Sequence, residues 1–284
     1  MTITVTGANG QLGRLAIAAL LERGVPASEI VAAVRTPAKV SDLAAQGIEV
    51  READYDRPET LAAAFAGTDK LLFVSGTAVG QRAVQHGNVI DAAKAAGVKL
   101  IAYTSISRAD TTPLGLAAEH KITEGLLRES GVPYVVLRNA FYVENWTGQA
   151  SMAIDNGVVI GAAGEGRVSA APRADFAAAA AGALTTDGHE NKVYELGGEG
   201  FTLAEYAAEL SRQGGKPVSY QDMPVDGYAK ALEGAGLPVP VAAMIADGDA
   251  AIARGDLHVT TGDLDRLLGR PATPLAESIA SALA

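Results

Sequence analysis

Short apolar runs alternate with amphipathic segments along the first two thirds of the chain. Ile3 and Val5 alternate with threonines, which is typical of a strand. The next segment carries apolar residues at helical spacing, at Leu12, Leu15, Ala16, Ala19 and Leu20. Further strands are predicted at 30–34, 48–52, 70–74, 98–104 and 133–137, and helices from Pro58 onward, over 81–96 and over 117–130. Strand–helix units in series predict an α/β fold with a doubly wound parallel sheet.

The pattern changes beyond Phe201, where short helices separated by glycine and proline predict a smaller, mostly helical C-terminal lobe. Thr202 and Glu205 have the spacing of a capping box, and their helix is predicted to end at Gly214-Gly215. Later helices are predicted near 226–236, over 241–253 and after Pro274.

Between these parts we predict two short extended pieces within 157–169 and an alanine-rich helix that opens at Arg173 and ends before Gly188. Tyr194 and Leu196 are assigned to a last sheet strand. Arg173 and Asp175 are interpreted as an ion pair at the start of the alanine-rich helix.

The segment between the first strand and the first helix carries three glycines, at positions 7, 10 and 13. A glycine turn that opens a helix directs backbone N–H groups and the positive end of the helix dipole toward a pyrophosphate. We therefore predict a dinucleotide site over Thr6, Gly7, Ala8, Asn9, Gly10, Gln11, Leu12 and Gly13. The alternative is a tight turn that binds nothing.

Arg35 follows the second strand, at the place where NAD-binding folds carry an acidic residue for the ribose 2′-hydroxyl. An arginine there accommodates a 2′-phosphate, so the sequence predicts NADPH rather than NADH. Lys39 and Arg14 are expected nearby, forming a basic cluster. The alternative is that Arg35 is a solvated charge at a strand end.

Two other strand ends are candidate walls of the cleft. Ser75-Gly76-Thr77 follows the fourth strand, and we expect its backbone to line the nicotinamide half of the cofactor. Asp54 and Tyr55 are expected at the adenine end, although a helix cap and a surface ring would explain them equally well.

The composition of the chain argues against several kinds of partner and active site. The 284 residues carry a formal net charge of -10, and a sequence pI near 4.9 disfavours nucleic acid and anionic membranes as partners. The absence of cysteine excludes disulfides, thiolate nucleophiles and Cys-ligated metals. The four histidines, His86, His120, His189 and His258, lack metal-like spacing, so we expect no metal site. The first strand starts almost at Met1 and no apolar run approaches about 18 residues, so we expect a cytoplasmic protein.

Several motifs resemble the NmrA-like branch of the atypical short-chain dehydrogenases. They are Thr-Gly-Ala-x-Gly-x-x-Gly at 6–13, Tyr103-Thr104-Ser105, and Leu137-Arg138-Asn139 followed by Phe141-Tyr142. The likeness extends over nearly the whole chain, through the segments 81–82, 115–117, 160–164 and 192–196. Within the branch, the chain is most similar to the bacterial flavin-free NAD(P)H:quinone oxidoreductases of the second type, with triphenylmethane dye reductases more distant.

The resemblance implies a Rossmann-like NADP-binding domain over 1–140, with returning segments near 165–198, and a substrate lobe over 141–284, mainly 201–284. It places the NADPH contacts on the glycine turn, Arg35, Ser75, Gly76, Thr77, Asn139, Ala140, Phe141, Tyr142, Val143 and Glu144. Phe141, Tyr142 and Trp146 then form either a quinone-stacking surface or an ordinary core between the lobes.

One departure from the wider superfamily concerns catalysis. Classical members use a Tyr-x-x-x-Lys pair, but Ala117 stands four residues before Lys121, so the proton-relay tyrosine is missing. Lys121 is then interpreted as a solvated residue. No catalytic side chain is assigned, and Tyr142 and Ser105 are the candidates for assisting protonation.

The leading hypothesis is therefore direct hydride transfer from NADPH to a quinone, giving the hydroquinone without a flavin. A rival is an NADP(H)-sensing NmrA-like regulator without turnover, and a third hypothesis is reduction of dye-like or imine-like electrophiles. We expect a small-molecule partner and a homodimer.

Overall fold

The computed structural model describes all residues from 1 to 284. Its main sheet has seven parallel strands in the order β3-β2-β1-β4-β5-β6-β8. The strands are β1 (Ile3–Thr6), β2 (Ile30–Val34), β3 (Glu49–Glu52), β4 (Lys70–Phe73), β5 (Leu100–Ile106), β6 (Tyr134–Asn139) and β8 (Lys192–Leu196). The strand order reverses between β1 and β4, which confirms the doubly wound, Rossmann-like α/β fold and places a cleft at their carboxyl ends.

Helices cover both faces of this sheet. They are α1 (Gln11–Glu22), α2 (Ser41–Ala45), α3 (Pro58–Ala64), α4 (Arg82–Ala95), α5 (Ala117–Ser130), α8 (Arg173–Thr185) and α12 (Asp263–Leu268). On one face α1 and α8 pack together, over a core that includes Ile3 and Leu20. On the other face α3, α4 and α5 enclose a second core around Phe73 and Tyr103. The central strands are buried on both faces, as is typical of a parallel sheet, whereas the edge strands β3 and β8 are partly exposed.

The smaller lobe has its own core, which includes Phe201 and Tyr206. It contains α6 (Glu144–Thr147), α7 (Ala150–Asn156), β7 (Val158–Gly161), α9 (Leu203–Gly214), β9 (Ser219–Asp222), α10 (Val225–Gly234), α11 (Val239–Ala253) and α13 (Leu275–Leu283). Strands β7 and β9 form a separate two-stranded parallel sheet. None of the helices in the chain is long and apolar enough to cross a membrane.

Most element predictions agree with the structure, and the differences have local causes. Strand β5 lies two residues beyond its predicted bounds, since its pairing with β6 continues to the Ile106–Asn139 register. Of the two extended pieces predicted within 157–169, β7 is a strand, whereas the second is reduced to one bridge between Val168 and Phe201. The capping box is confirmed, because Glu205 N donates to Thr202 Oγ1 and Thr202 N donates to the Glu205 carboxylate.

The predicted ion pair between Arg173 and Asp175 is wrong. The Arg173 guanidinium lies 3.3 Å from the Glu144 carboxylate instead. Asp175 is fully buried and accepts from Arg270 Nη2 at 2.7 Å and from the backbone N–H of Thr273 at 2.7 Å. Tertiary partners, far away in the sequence, therefore satisfy both ends of the predicted pair.

Candidate functional site

The glycine turn between β1 and α1 has the geometry that a phosphate requires. Gly7 has φ of +60°, and its carbonyl accepts the N–H of Gly10 at 2.8 Å. A Cβ on Gly13 would lie 2.5 Å from the Gly7 carbonyl oxygen, so only glycine lets the helix approach the turn. No side chain caps α1 at Gly10, which leaves its first N–H groups available to an anion.

A cavity of about 660 Å³ opens at the point where the strand order reverses. Its size is typical of ligand pockets. It is lined by Gly7, Asn9, Gly10, Val34, Arg35, Thr36, Lys39, Ala53, Asp54, Tyr55, Asp56, Val74, Ser75, Gly76, Thr77, Ala78 and Gln85. The turn, the end of β2 and the loop after β4 thus meet around one space, as three separate sequence features predicted.

Several of the predicted contacts do not line this cavity themselves. Ala8 is buried, and Gln11, Leu12 and Gly13 belong to α1. Thr6 supports the wall, because its Oγ1 lies 2.6 Å from the Tyr55 hydroxyl oxygen and accepts from the backbone N–H of Val74 at 3.0 Å. The sequence predictions did not include Thr36, Asp56, Ala78 or Gln85, whose only sequence signal is closeness to a strand end or a helix start.

The end of β2 carries the positive charge of the cavity. Arg35 and Lys39 both line it, as expected, but Arg14 does not. The Arg14 guanidinium is 2.5 Å from the Asp42 carboxylate and donates to the carbonyl of Lys39 and to Asn9 Oδ1. Its hydrogen bonds also hold the pKa of Asp42 below the usual range. Arg14 therefore connects the glycine turn to the segment that follows β2. The predicted basic cluster is reduced to Arg35 and Lys39.

Tyr55 is half-buried and connects the adenine-side loop to the sheet. Its hydroxyl bonds to Thr6 Oγ1 and donates to the Val74 carbonyl at 2.8 Å. Burial raises the pKa of this phenol, so it stays neutral. Next to it, the Asp56 carboxylate accepts from Gln85 Nε2 at 3.0 and 3.1 Å. Two consecutive side chains thus fix the loop, which makes Tyr55 a structural wall of the cavity rather than a free surface ring.

The segment from Asn139 to Glu144 leaves the carboxyl end of β6, at the same edge of the sheet. Asn139 Oδ1 is buried and has no hydrogen-bond partner within the protein. The Arg173 guanidinium stacks over the Tyr142 ring, 4.3 Å from its centroid, and burial raises the pKa of Tyr142. Glu144 Oε1 accepts the backbone N–H of Arg173 at 2.9 Å. A buried acceptor without a donor is rare in folded proteins and indicates a missing partner at this strand end.

The aromatic side chains that follow β6 pack mainly into the smaller lobe. The Phe141 and Trp146 ring centroids are 6.3 Å apart, and Trp146 is 6.0 Å from Phe201. The Tyr206 hydroxyl donates to the Trp146 carbonyl at 2.9 Å. For Trp146, these contacts favour packing in the core of the smaller lobe over a stacking surface.

Ser105 contacts a buried ionic network. Its hydroxyl donates to Glu124 Oε1 at 2.8 Å, and Glu124 also accepts from Arg138 Nη2 at 2.7 Å. Arg138 further pairs with Asp110 and Glu195. Burial alone would lower the pKa of the guanidinium, but its hydrogen bonds to Glu124, Glu195 and Asp110 raise that pKa above the usual range. The hydroxyl of Ser105 is therefore engaged by a carboxylate that is itself inaccessible to solvent.

The helix that carries the remnant of the superfamily motif offers no proton relay. Lys121 is exposed, and its Nζ donates to the Asp110 carbonyl at 3.2 Å. Ala117 is buried in the core of the smaller lobe. Lys121 thus occupies the solvated position that the sequence predicted for it.

Comparison with known proteins agrees with this geometry. A family model described as NAD(P)H-binding matches residues 7–187. The chain belongs to this NAD(P)H-binding family. Among relatives, quinone oxidoreductase 2 of Escherichia coli K12 is 53% identical over 98% of this chain and 97% of its own length.

Two solved structures extend the match. A structure of NADPH-dependent quinone oxidoreductase from Escherichia coli complexed with NADPH superposes with a TM-score of 0.97 at 52% identity, and covers all of both chains. The triphenylmethane reductase of Citrobacter sp. complexed with NADP(H) gives 0.95 at 43% identity, and covers 99% of this chain and 100% of its own. Both likenesses that the sequence motifs carried are therefore confirmed.

Proposed function

We propose that this protein is an NADPH-dependent oxidoreductase that reduces a quinone by direct hydride transfer, without a flavin. The observation that carries the proposal is the cavity where the strand order reverses, in which a glycine turn and the cationic pair Arg35 and Lys39 meet. The relative with 53% identity, described as a quinone oxidoreductase, supports the choice of acceptor.

The residues of the cavity, together with Gly13 and Asn139 outside its lining, fit a nicotinamide dinucleotide with a 2′-phosphate. The uncapped start of α1 would hold the pyrophosphate, and Gly13 would let the helix come close to it. Arg35 and Lys39 would pair with the 2′-phosphate. Asn139 Oδ1, buried without a partner, would accept a donor from the cofactor.

When bound, NADPH supplies a hydride from C4 of its dihydronicotinamide ring. Reduction of the quinone to the hydroquinone would take this hydride and one proton from water. The chain supplies proximity, orientation and a shielded cavity, because an electron-poor quinone needs no general acid to accept hydride. A reaction that needs no general acid agrees with the absence of the proton-relay tyrosine at Ala117. Ser105 is bonded to Glu124, so Tyr142 remains the candidate for assisting protonation.

An anaerobic assay tests the proposal. Purified protein is mixed with NADPH and a simple benzoquinone or naphthoquinone, and the absorbance at the NADPH band is followed together with hydroquinone formation. We expect equal amounts of NADPH consumed and hydroquinone formed, well above the rate in buffer. Binding of NADPH without consumption would instead indicate an NADP(H)-sensing regulator. Consumption of NADPH only with dye-like or imine-like acceptors would indicate that these compounds, and not quinones, are the substrates.

The same proposal assigns cofactor binding and acceptor binding to different parts of the chain. We assign cofactor binding to residues 1–140 with the returning segments near 165–198, and the acceptor to the smaller lobe, mainly 201–284. A homodimer is the expected assembly, and light scattering on the purified protein tests it.

A further inference from the structure

The loop after β4 forms one wall of the cavity through Ser75, Gly76, Thr77 and Ala78. Small side chains give such a loop little packing to fix its backbone, and a glycine adds conformational freedom. Contacts from outside the loop are therefore needed to fix its backbone in one conformation.

Two side chains of α4 hold Gly76 from behind. The backbone N–H of Gly76 donates to His86 Nε2 at 3.0 Å, and its carbonyl accepts from Arg82 Nε at 2.7 Å. The two side chains are four residues apart, so they lie on the same face of the helix. A Cβ on Gly76 would lie 3.2 Å from Gln85 Oε1 and 3.5 Å from His86 Nε2, so the loop rests closely on this helix face.

The surroundings of His86 fix its role as an acceptor. The residue has no exposed surface, and its Nδ1 lies 2.7 Å from Thr123 Oγ1, whose hydroxyl donates to the Glu119 carbonyl at 2.9 Å. Thr123 thus accepts the imidazole N–H, which leaves Nε2 as the lone-pair nitrogen facing Gly76. Burial, together with the charge of Arg82, lowers the pKa of His86 to about 3, so the ring stays neutral.

We propose that Arg82 and His86 are positioning residues for the cofactor: by holding both backbone polar groups of Gly76, they fix the wall formed by Ser75 to Ala78 before the cofactor binds. This inference rests on the proposed function, since it takes the cavity to be the NADPH site. Neither side chain lines the cavity, so both act through the backbone of the loop. A preorganised wall lowers the entropy lost on binding.

Substitution at His86 tests the proposal through NADPH affinity. His86→Phe keeps a buried aromatic ring and removes the acceptor. We expect its dissociation constant for NADPH to rise about tenfold, the usual effect of losing one buried hydrogen bond. At saturating NADPH, kcat should stay within about threefold, because the bound cofactor itself orders the wall. His86→Gln places an amide oxygen near the former position of Nε2 and should restore most of the affinity.

Val89→Ala is the matched control. Val89 is fully buried in the core around Phe73 and Tyr103, about one turn further along α4, and does not line the cavity. It should lower the melting temperature and leave the NADPH dissociation constant unchanged. If His86→Phe does not fold, Thr123→Val tests the same point, because it removes the group that orients the imidazole and should raise the dissociation constant about threefold.

Amide hydrogen exchange provides a readout that a general loss of stability would not reproduce. In His86→Phe without cofactor, the segment 75–81 should exchange about tenfold faster than in the wild type while the strands keep their protection, and NADPH should restore slow exchange.

Three results would overturn the positioning role: unchanged NADPH affinity in His86→Phe, equal loss of affinity in His86→Gln, or equal loss in Val89→Ala. A wild-type protein that binds no NADPH would instead remove the proposed function on which the inference rests, so the two failures are distinguishable.

Discussion

The hydroxyl of Tyr103 and Nδ1 of His120 lie 2.7 Å apart inside the core between β5 and α5. Tyr103 has no exposed surface and His120 is 6% exposed. Burial lowers the pKa of His120 to about 3 and raises the pKa of Tyr103. The pair is therefore neutral and structural, although His120 lies on α5, the helix where the wider superfamily carries its proton relay.

His120→Ala should accordingly destabilise the protein without removing its chemistry. Loss of the buried ring and of its hydrogen bond is expected to cost about 2–4 kcal/mol in the free energy of unfolding. Quinone turnover per folded molecule should stay within about threefold. Lys121→Ala, at the exposed neighbouring position, should change neither quantity. Denaturant titration and steady-state kinetics measure the two effects, and a fall in kcat of about 10²-fold, the scale of a lost general acid, would contradict this assignment.

Gly10→Val tests the glycine turn. A Cβ at this position would already lie 3.2 Å from the Gly7 carbonyl oxygen, and the two methyl groups of valine would project where a pyrophosphate must approach. We expect calorimetry to detect no NADPH binding while the circular dichroism spectrum is retained. Gly125→Val, on the partly exposed side of α5 where nothing lies within 4 Å of an added Cβ, is the control and should bind normally. Binding near wild-type strength in Gly10→Val would remove the phosphate-cradle assignment.

Arg35→Ala tests cofactor choice. Losing charge-assisted hydrogen bonds to a 2′-phosphate is worth about 1.5–3 kcal/mol, so NADPH should bind roughly 10- to 150-fold more weakly while NADH is hardly affected. Arg35→Asp should invert the preference by offering a carboxylate to the bare ribose. The measurement is the ratio of kcat/KM for NADPH to that for NADH. Lys94→Ala, which removes an exposed charge outside the cavity, should leave the ratio unchanged. Equal losses for both cofactors in Arg35→Ala would identify Arg35 as a solvated charge.

Asp249 gives a pH dependence of stability in the smaller lobe. Its carboxylate accepts the backbone N–H of Ala162 at 2.8 Å, and burial, with Asp222 nearby, raises its pKa to about 6. The folded protein therefore binds more protons than the unfolded chain, in which the pKa of an Asp side chain is about 3.9. The resulting stability is full below about pH 4 and is lost as the pH rises through about 6.

Asp249→Asn removes this titration while keeping an oxygen that can accept from Ala162. We expect the difference in unfolding free energy between the variant and the wild type to grow by about 2–3 kcal/mol in favour of the variant from pH 4 to pH 7. Chemical denaturation at several pH values measures it. A difference that does not change with pH would show that Asp249 titrates normally.

The sequence predicted the strands and the glycine turn because both depend on local patterns. Buried parallel strands are continuous apolar runs, and the turn needs glycine at fixed positions such as Gly7 and Gly13. The strand order then placed Arg35 and the loop after β4 at one cavity, since parallel strands end at the same edge.

Other features were missed because distant parts of the chain create them. Strand β9 reads Ser-Tyr-Gln-Asp, without the alternation of a half-buried strand, and forms only by pairing with β7. Helix α12 has only six residues and is held by burying Leu264 and Leu267 in the sheet core. Asp175 finds its partner Arg270 at a separation of 95 residues, which no local spacing signals.

The chain passes several times between the two lobes, so each lobe is built from separate segments of the sequence. After β7 in the smaller lobe, the chain returns to the sheet for α8 and β8, leaves it for α9 to α11, and comes back once more at α12, which packs on α8 and β8. A fragment that ends between these crossings would therefore lack some of the residues that fill the core of the main sheet. Removal of the last 22 residues, 263–284, would expose the sheet face under α12 and strip buried Asp175 of Arg270 and Thr273. We therefore expect the two lobes to unfold together, and neither lobe to fold as an independent fragment.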